Sequence, residues 1–440
     1  MIYYQCKFRQ AAPLHIGAGE SEDSDSDVMT DIRGVPFIPG SGIAGVLRTY
    51  LSDKEADWLF GPVWGGTGEN AIRESRVLVS DAVLPHGVTS DAYRVSTRDG
   101  VGMNDRGTVE QGAKYDFEVV ECPEPYVAVI ELSDRPEKER PSGIENSDSN
   151  ILERALRAIV RHGVSFGART TRGYGRMTAE IRRRKFDFPQ DLDAWLKFDP
   201  MDADNFGGSP LPEGADADIL RVEAQLQMEG SFSVRRYLSR LPEPDDGKTA
   251  SSVPVYGPMT NQRNRPVIPG ASWAGAFRHH MRTLIQEAGR EELLPELDKL
   301  FGVVEQKPNG KETVKLKSRI RFGETEMRET DARKRGEYVV TRVAVERFTG
   351  APRNQGLFSS LVAWGGEGEL LIELPADTSP DLRRLLAAAL NDLHMGLLTA
   401  GGESSVGRGV CRIARLTVND RDVTEKVNAC DTEYVGASET

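Results

Sequence analysis

The sequence predicts an α+β protein made of two tandem copies of one unit. The main observation is that three segments occur twice, in the same order and at a nearly constant spacing. The first pair is PFIPGSGIAGVLR (36–48) and PVIPGASWAGAFR (266–278), the second lies at 95–112 and 340–356, and the third is GARTTRGYG (167–175) and GGESSVGRG (401–409). A set of segments repeated in one order indicates a duplicated domain. A chain of 440 residues also exceeds what one hydrophobic core usually serves.

An amphipathic helix is predicted directly after each PxIPG turn. The apolar positions recur at helical spacing. They are Ile43, Leu47, Tyr50 and Leu51 in the first copy, and Trp273, Phe277, Met281 and Ile285 in the second. Ser41 and Ser272 stand at the beginning of these helices, where a serine side chain can accept a hydrogen bond from a free amide. We therefore expect both serines to be helix caps.

Further along each half, an alternating strand leads into a second helix and then into the glycine-rich segment. The strands are YVAVIEL (126–132) and GELLIEL (368–374), and the helices lie at 151–163 and 379–396. Each half thus has the order strand, helix, long polar excursion, strand, helix, glycine loop and strand. This order predicts a ferredoxin-like, RRM-like α+β unit.

Composition suggests where these units begin and end. We predict a first domain at 1–188, a linker at 189–218, a second domain at 219–422 and a frayed polar tail at 423–440. The linker is rich in Pro, Gly and Asp, and the tail is polar and terminal.

Charge and cysteine usage constrain location and partners. No apolar run approaches the ~20 residues that span a bilayer, and the start MIYYQCKF lacks a signal-peptide pattern, so we expect no membrane partner. Four separated cysteines without a CxxC pair suit a cytoplasmic protein. A net charge of −12 does not by itself favour nucleic acid, but basic residues concentrate at 169–185, which leaves RNA open as a partner.

The PxIPG helix start, the arginine-containing excursion and the late glycine loop together resemble the RAMP superfamily. The combination is similar to the backbone subunits of type III CRISPR effectors, the seventh Cas family, in the tandem form of type III-D-like effectors. The resemblance implies two RAMP domains, each with a thumb-like β-hairpin insertion that displaces one target nucleotide. It also implies crRNA, a complementary target RNA and other CRISPR effector subunits as partners. Catalytic members cut the target with an aspartate on the loop before the PxIPG turn.

Mapped onto this chain, the family pattern points to the acidic loop at 17–31. Val28 takes the aliphatic place and Asp25 the place of the aspartate, with Asp27 as the alternate; the usual proline before Val28 is missing. A carboxylate there can activate the ribose 2′-OH or, as a ligand at Asp25, hold a hydrated Mg²⁺ that does so. The other reading is a solvated acidic loop without a catalytic role.

The second half does not repeat this loop. Between Gly247 and Arg278 there is no Asp or Glu, and the counterpart of Asp25 falls near Ser252 or Val255. Two earlier carboxylates, Asp245 and Asp246, could replace it only if the loop folds back. We therefore expect one cutting centre, in the first half.

Other residues are candidates for RNA contact. They are Arg169, Arg172 and Tyr174 in the first glycine loop, Arg408 in the second, Ser41, Arg48, Ser272 and Arg278 at the helix starts, and Arg98, Arg106, Arg342 and Arg347 in the excursions. Arginines and glycine-loop amides can meet phosphates, and an aromatic side chain such as Tyr174 can stack on a base. Met103 and Phe348 stand where a hairpin tip could wedge between bases. For the glycine loops a tight turn, and for the helix arginines a structural role, remain open.

Two other functions fit the same pattern. The chain could be a non-catalytic crRNA-binding scaffold, or a guide-processing endoribonuclease of the same superfamily that uses His15, two residues before Gly17, in place of a metal.

Overall fold

The structure is a computed structural model that divides into two compact units. It describes residues 1–19, 26–62, 74–103, 109–133, 142–214, 219–237, 256–306, 313–328 and 337–435. The first unit comprises Met1–Arg98, Tyr115–Thr170 and Tyr174–Ala217, and the second comprises Asp99–Lys114, Thr171–Gly173 and Asp218–Thr440. Across the described ranges, every helix is too short or too polar to span a lipid bilayer.

A five-stranded antiparallel sheet forms the centre of the first unit. The strands of this half are β1 (Ile2–Gln10), β2 (Gly17–Gly19), β3 (Asp27–Val28), β4 (Val77–Val79), β5 (Arg94–Met103), β6 (Val109–Glu121), β7 (Tyr126–Leu132), β8 (Val164–Ser165) and β9 (Arg176–Lys185); the helices are α1 (Gly40–Arg48), α2 (Asp53–Phe60), α3 (Asp148–His162) and α4 (Leu192–Trp195). The sheet order is β4–β7–β1–β9–β8. Cys6 of the central strand lies opposite Ala128 and Ile181 and is buried in one core with Leu156 of α3. Burial raises the pKa of Cys6 to about 12, so its thiol stays protonated.

The second unit has a sheet of the same order. Its strands are β10 (Ile219–Met228), β11 (Ser231–Phe232), β12 (Arg235–Tyr237), β13 (Tyr256–Pro258), β14 (Val267–Ile268), β15 (Val303–Gln306), β16 (Thr313–Leu316), β17 (Arg321–Phe322), β18 (Thr325–Glu326), β19 (Glu337–Val345), β20 (Pro352–Trp364), β21 (Glu367–Pro375), β22 (Cys411–Val418) and β23 (Arg421–Asp422); its helices are α5 (Gly270–Glu287), α6 (Leu294–Phe301), α7 (Pro380–His394) and α8 (Thr424–Asn428). The sheet order is β17–β21–β10–β22–β23. Trp273 and Phe277 of α5 and Leu390 of α7 pack into its core. The mixed α+β class predicted from the sequence is confirmed.

A long two-stranded hairpin is inserted into each half at the same place in the strand order. The hairpins are β5–β6 and β19–β20, and β6 and β20 have 13 residues each. In the second hairpin Thr341 lies opposite Ser359, and Val345 lies opposite Pro352 at the tip. These hairpins are the two long polar excursions of the sequence.

The helices after the PxIPG turns begin two and three residues earlier than serine caps would require, so the expected serine caps are wrong. Pro39 and Pro269 occupy the N-cap positions, neither with a side-chain cap, and Ser41 and Ser272 are already helical. The helix starts lie too close to the neighbouring strand for any side chain. A Cβ on Gly40 would lie 2.3 Å from the Val79 carbonyl oxygen.

The equivalent glycine of the second helix is packed in the same way. A Cβ on Gly270 would lie 2.1 Å from the Phe322 carbonyl oxygen. Such distances exclude a side chain unless the backbone moves. The glycine of PxIPG is therefore required by packing in both copies.

The stretch predicted as a linker packs onto the first unit up to residue 214. Phe206 is buried with Tyr3 and Phe186, and Leu211 joins the main core of the unit. The Trp195 indole N–H donates to the Tyr3 hydroxyl at 3.0 Å. Aromatic side chains spaced among Pro and Asp thus cover the outer face of β1, which the composition of the segment concealed.

The tail predicted to be frayed is also packed over 424–435. Val427, Tyr434 and Val435 are buried in the core of the second unit. The Tyr434 hydroxyl donates to the Ala387 carbonyl oxygen of α7 at 3.1 Å. These three apolar side chains are too widely spaced among polar residues to give a visible period.

Candidate functional site

The acidic loop of the first half is described at its two ends. Asp25, the first candidate for catalysis, lies outside the described residues, and the half-buried Asp27 lies in β3. β2 pairs with β3, so that Gly19 lies opposite Asp27 and Gly17 opposite Val28. Val28 is buried in the core of the unit. Asp27 therefore belongs to the strand pair that closes the base of the loop, next to residues 20–25, which lie outside the described residues.

His15 lies directly beneath this loop base and is buried. Its Nδ1 is 2.6 Å from the Glu118 carbonyl oxygen, and its Nε2 is 3.3 Å from the Ser26 hydroxyl. Because a carbonyl oxygen can only accept, Nδ1 carries the proton, and the Nε2 of the neutral ring accepts from Ser26. Burial, reinforced by the positive charge of Arg169, lowers the pKa of His15 despite its hydrogen bond to Glu118. The histidine is thus a neutral buried support rather than an exposed acid.

The first glycine loop is a tight turn that binds its own unit. Gly167, Arg169 and Gly175 all have positive φ. The Ala168 N–H donates to the His15 carbonyl oxygen at 2.9 Å. An amide that donates within the unit is not available to a ligand. The backbone therefore has the tight turn that the sequence analysis gave as the alternative to phosphate binding.

The second glycine loop has the same backbone as the first. Gly401, Glu403 and Gly409 have positive φ at the equivalent places. The Gly402 N–H donates to the Ser233 carbonyl oxygen at 2.8 Å. Since these two amides correspond, Ser233 is the counterpart of His15.

The side chains on the two loops differ in kind. In the first unit the Arg169 guanidinium lies over the rings of Tyr115 and Phe117, at 4.6 and 4.0 Å from their centroids. Tyr174, predicted to stack on a base, is buried and makes a T-shaped contact with Phe117, 5.3 Å away between centroids. Because the side chain is buried, its ring is not accessible to a base, so base stacking by Tyr174 is not supported.

In the second unit the same place holds an ionic cluster. The Glu403 carboxylate accepts from the Arg342 guanidinium at 2.5 Å and pairs with Arg408. Arg408 is buried and also lies 3.3 Å from the Ser360 hydroxyl. Two of the arginines expected to bind RNA are therefore neutralised in part by one carboxylate at the root of the hairpin.

Arg48 of α1 and Arg278 of α5 each connect two helices, which is the structural alternative to RNA contact given in the sequence analysis. Arg48 donates to the Gly61 carbonyl oxygen at 2.7 Å and to Asp57 at 2.5 Å, which ties α1 to α2. Arg278 donates to Asp298 at 2.8 Å and ties α5 to α6 in the same way. Both partners lie on the following helix.

The start of α1, where Ser41 is a candidate for RNA contact, already binds a carboxylate. The Gly40 N–H donates to Asp81 Oδ1 at 2.7 Å. Since a phosphate would compete with Asp81 for the same amide, phosphate contact here depends on the exposed Ser41 and not on this N–H. Arg98 is also buried and does not face solvent.

The remaining RNA candidates are accessible or lie outside the described residues. Arg172 and Arg347 are exposed and Ser272 is half-buried, whereas Arg106 lies outside the described residues, as does the side chain of Met103. Phe348 at the tip of the second hairpin is completely exposed. This exposure leaves Phe348 accessible for the wedge role predicted from the sequence.

The basic stretch at 169–185 carries less free charge than its sequence suggests. Along β9, Arg182 pairs with Glu180 at 3.0 Å, and Arg183 with the buried Glu153 at 3.2 Å. Lys185 likewise pairs with an acidic neighbour. Several of these basic side chains therefore form ion pairs within the protein.

The RAMP superfamily model matches residues 11–178 and 254–412. The chain belongs to the RAMP superfamily. The two matched regions confirm the tandem arrangement of RAMP domains. A comparison with curated proteins finds no match.

The two RAMP regions can be compared at the acidic loop through a shared turn. Asp31 Oδ1 accepts from the Val35 N–H at 2.9 Å, and Asn261 Oδ1 accepts from the Arg265 N–H at 3.0 Å. Counting back from this turn places Gly257 at the position of Asp27. The second RAMP region thus lacks a carboxylate at this point, and Asp245 and Asp246 lie outside the described residues.

One group of exposed arginines was missed by sequence reasoning. Arg263, Arg265 and Arg328 surround Glu326, with N–O distances of 3.8, 2.5 and 3.4 Å. Although burial alone would raise it, the hydrogen bond and charge of Arg265 hold the pKa of Glu326 below its usual value. The cluster therefore carries a net charge of two positive units at neutral pH. The sequence feature that could have indicated this cluster is Arg265 in NQRNRPVIPG, since the first copy has Val35 at the same position.

Proposed function

We propose that this chain is a tandem backbone subunit of a type III CRISPR effector that binds crRNA and cuts the complementary target RNA from its first unit. The observation that carries the proposal is an asymmetry between two similar RAMP regions. Both have a long hairpin, but only the first combines it with an acidic loop before the PxIPG helix. Binding along an RNA needs the shared architecture, and cutting needs the carboxylates.

The strand order supports a ferredoxin-like assignment for each unit. Omitting the edge strands β8 and β23, both sheets have the second, third, first and fourth strands of the unit side by side, all antiparallel. The hairpin leaves the sheet between its second and third strands. We propose that β5–β6 and β19–β20 are the thumbs that interrupt the guide–target duplex at intervals.

The proposed chemistry is attack of the ribose 2′-OH of a kinked target on the adjacent phosphorus. A 2′,3′-cyclic phosphate forms as the bond from phosphorus to the 5′-oxygen of the next nucleotide breaks, and that oxygen leaves with a proton from water. Asp25, or Asp27 as the alternate, would accept the 2′-OH proton, and the kink would bring that oxygen into line. Among the described residues no three His, Cys, Asp or Glu side chains gather as a metal site. A hydrated Mg²⁺ that takes one carboxylate and several water or phosphate oxygens fits such a donor set, and it would stabilise charge on the phosphate.

The proposed RNA surface combines predicted and newly found residues. Arg172, Arg347, Ser41 and Ser272 stay in it, together with Arg106 and the cluster of Arg263, Arg265 and Arg328. Arg169 also remains as a partly exposed cation beside the acidic loop. Arg48, Arg98, Arg278, Arg342 and Arg408 are better explained as supports of this surface than as direct contacts, because each is buried or paired within the protein.

The experiment that tests the function is recovery of the complex through a tag on this chain. A bound crRNA, and cutting of a labelled complementary RNA in Mg²⁺ at one position per copy of the chain, are the expected results. A non-complementary RNA is the control and should stay intact. Cutting at two positions per copy would show that the second unit is also a nuclease. Binding without cutting would leave the scaffold function, and the burial of His15 argues against the guide-processing alternative.

Replacing Phe348 by alanine should reduce the unstacking of one target nucleotide at the second hairpin. A wedge side chain opens a base step at a cost of a few kcal/mol that its own contacts offset, so its removal favours the stacked state. The measurement is the fluorescence of 2-aminopurine placed at successive target positions. Phe348→Trp should preserve the signal. An unchanged fluorescence profile in the alanine variant would contradict a wedge role.

Replacing Arg263, Arg265 and Arg328 together by alanine should weaken RNA binding without sequence preference. Each lost phosphate contact reduces the slope of log K against log salt by about 0.7 for single strands, so the slope should fall by about 2. Titrations at several salt concentrations measure it. A control triple variant, Arg319, Arg384 and Arg415 to alanine, removes the same charge from arginines that are each paired with acidic side chains. Equal slopes in the two variants would show a general charge effect.

A further inference from the structure

The end of the acidic loop is attached through one residue to the part of the first hairpin that belongs to the same unit. Glu118 lies on β6, the return strand of the first hairpin. Its carboxylate accepts from the Val28 N–H at 3.0 Å, and its own N–H donates to the Ser26 carbonyl oxygen at 3.0 Å. These two bonds enclose Asp27 on both sides.

His15 also joins β6 to the end of the acidic loop. Its Nδ1 donates to the Glu118 carbonyl oxygen at 2.6 Å, and its Nε2 accepts from the Ser26 hydroxyl at 3.3 Å. Glu118 therefore bonds to the loop through its N–H and its carboxylate, and to His15 through its carbonyl oxygen. The neutral histidine links the same two segments.

The second unit has different residues at the three positions that correspond to Glu118, His15 and Asp27. Glu118 is the tenth residue of a 13-residue strand, and the tenth residue of the corresponding β20 is Leu361. His15 is matched by Ser233, whose buried hydroxyl has no hydrogen-bond partner among the described residues. Asp27 is matched by Gly257. Leucine has no acceptor for a loop amide, so the attachment occurs only where the acidic loop occurs.

We propose that Glu118 and His15 are positioning residues that hold the end of the acidic loop, residues 26–28, at a fixed place on β6. This proposal rests on the proposed function. With the end of the loop held in this way, Asp27 is presented to the kinked phosphate at a defined distance. Misplacement of a catalytic group by about 1 Å can lower a rate about 100-fold, which is why such an attachment matters.

The test exchanges the two residues for their counterparts in the second unit. Glu118→Leu and His15→Ser should each raise hydrogen exchange at residues 26–29 of the free chain about 10-fold or more, because the loop base then opens locally. In the assembled complex both should lower the rate of target cutting about 10- to 100-fold while target binding changes less than about twofold. Glu118→Gln keeps an acceptor for the Val28 N–H and should behave like the wild type in both measurements.

Glu124→Leu is the control because it removes the same charge from the exposed turn after β6. It should change neither measurement. Unchanged exchange in Glu118→Leu, or faster exchange with unchanged cutting, would overturn the proposal. If the wild-type complex cuts no RNA, the proposed function fails, and the exchange data alone then decide whether Glu118 and His15 hold the loop.

Discussion

Asp25→Ala should abolish target cutting in the assembled complex and leave RNA binding unchanged. Loss of a general base or of a carboxylate that holds a catalytic metal usually lowers a rate by about 10²- to 10⁴-fold. The two hairpins and the exposed arginines proposed to contact RNA are left unchanged by this substitution, so affinity for the target should stay within about twofold, a change of less than ~0.5 kcal/mol. Single-turnover cutting and equilibrium binding of the same labelled RNA measure the two quantities separately.

Two variants in the same loop make the result specific. Asp27→Ala should have a smaller effect, because Asp27 belongs to the paired base of the loop, whereas Asp25 has the place of the aspartate in the family pattern. Glu22→Ala removes one negative charge from the loop and should cut normally. Loss of cutting in Asp27→Ala alone would move the catalytic role to that residue. Full activity in both aspartate variants would leave the scaffold function.

The architecture could be predicted because it depends on local patterns. The period of apolar residues gave the long helices; Trp273, Phe277, Met281 and Ile285 are all buried on one face of α5. Alternation gave β7 and β21, and the repeated segments showed that the halves correspond. The helical period and the strand alternation each lie within about twenty residues of sequence, where helix and strand geometry fixes the period.

The roles of individual arginines could not be predicted because their partners are distant in sequence. Arg342 meets Glu403 across 61 positions, and Arg278 meets Asp298 across 20. Arginine has the same sequence signal whether it faces a phosphate or a carboxylate. Only the fold decides which it meets.

The acidic loop shows the same division between local and distant information. Its composition and its place before the PxIPG helix were visible in the sequence. The contacts of Glu118 with His15, Ser26 and Val28 were not, because they join segments about 90 to 100 residues apart that only the fold brings together. A lone histidine near an acidic loop gave no indication that it would be buried.

Gly409→Ala should strongly destabilise the second unit, and Gly407→Ala in the same loop should not. Both glycines have a φ near +80°, so alanine at either position costs roughly 1–2 kcal/mol in backbone strain. At Gly409 a Cβ would also lie 2.0 Å from the Ala400 carbonyl oxygen, whereas nothing lies within 4 Å at Gly407. The backbone would have to move and lose the hydrogen bond from the Ala400 N–H to the Gly409 carbonyl oxygen. We expect a total loss of at least about 3 kcal/mol at Gly409.

Hydrogen exchange at α7 and α3 separates the effect on the second unit from the first, since two units need not unfold together. In Gly409→Ala, exchange at α7 should rise by at least about 100-fold, the equivalent of ~3 kcal/mol, with α3 unchanged. Gly175→Ala should show the reverse, because its Cβ would lie 1.9 Å from the Phe166 carbonyl oxygen of the first loop. Equal effects of Gly407→Ala and Gly409→Ala would mean that φ alone requires these glycines. The difference between Gly407→Ala and Gly409→Ala is therefore a direct measure of how closely the end of the second glycine loop passes Ala400 at its start.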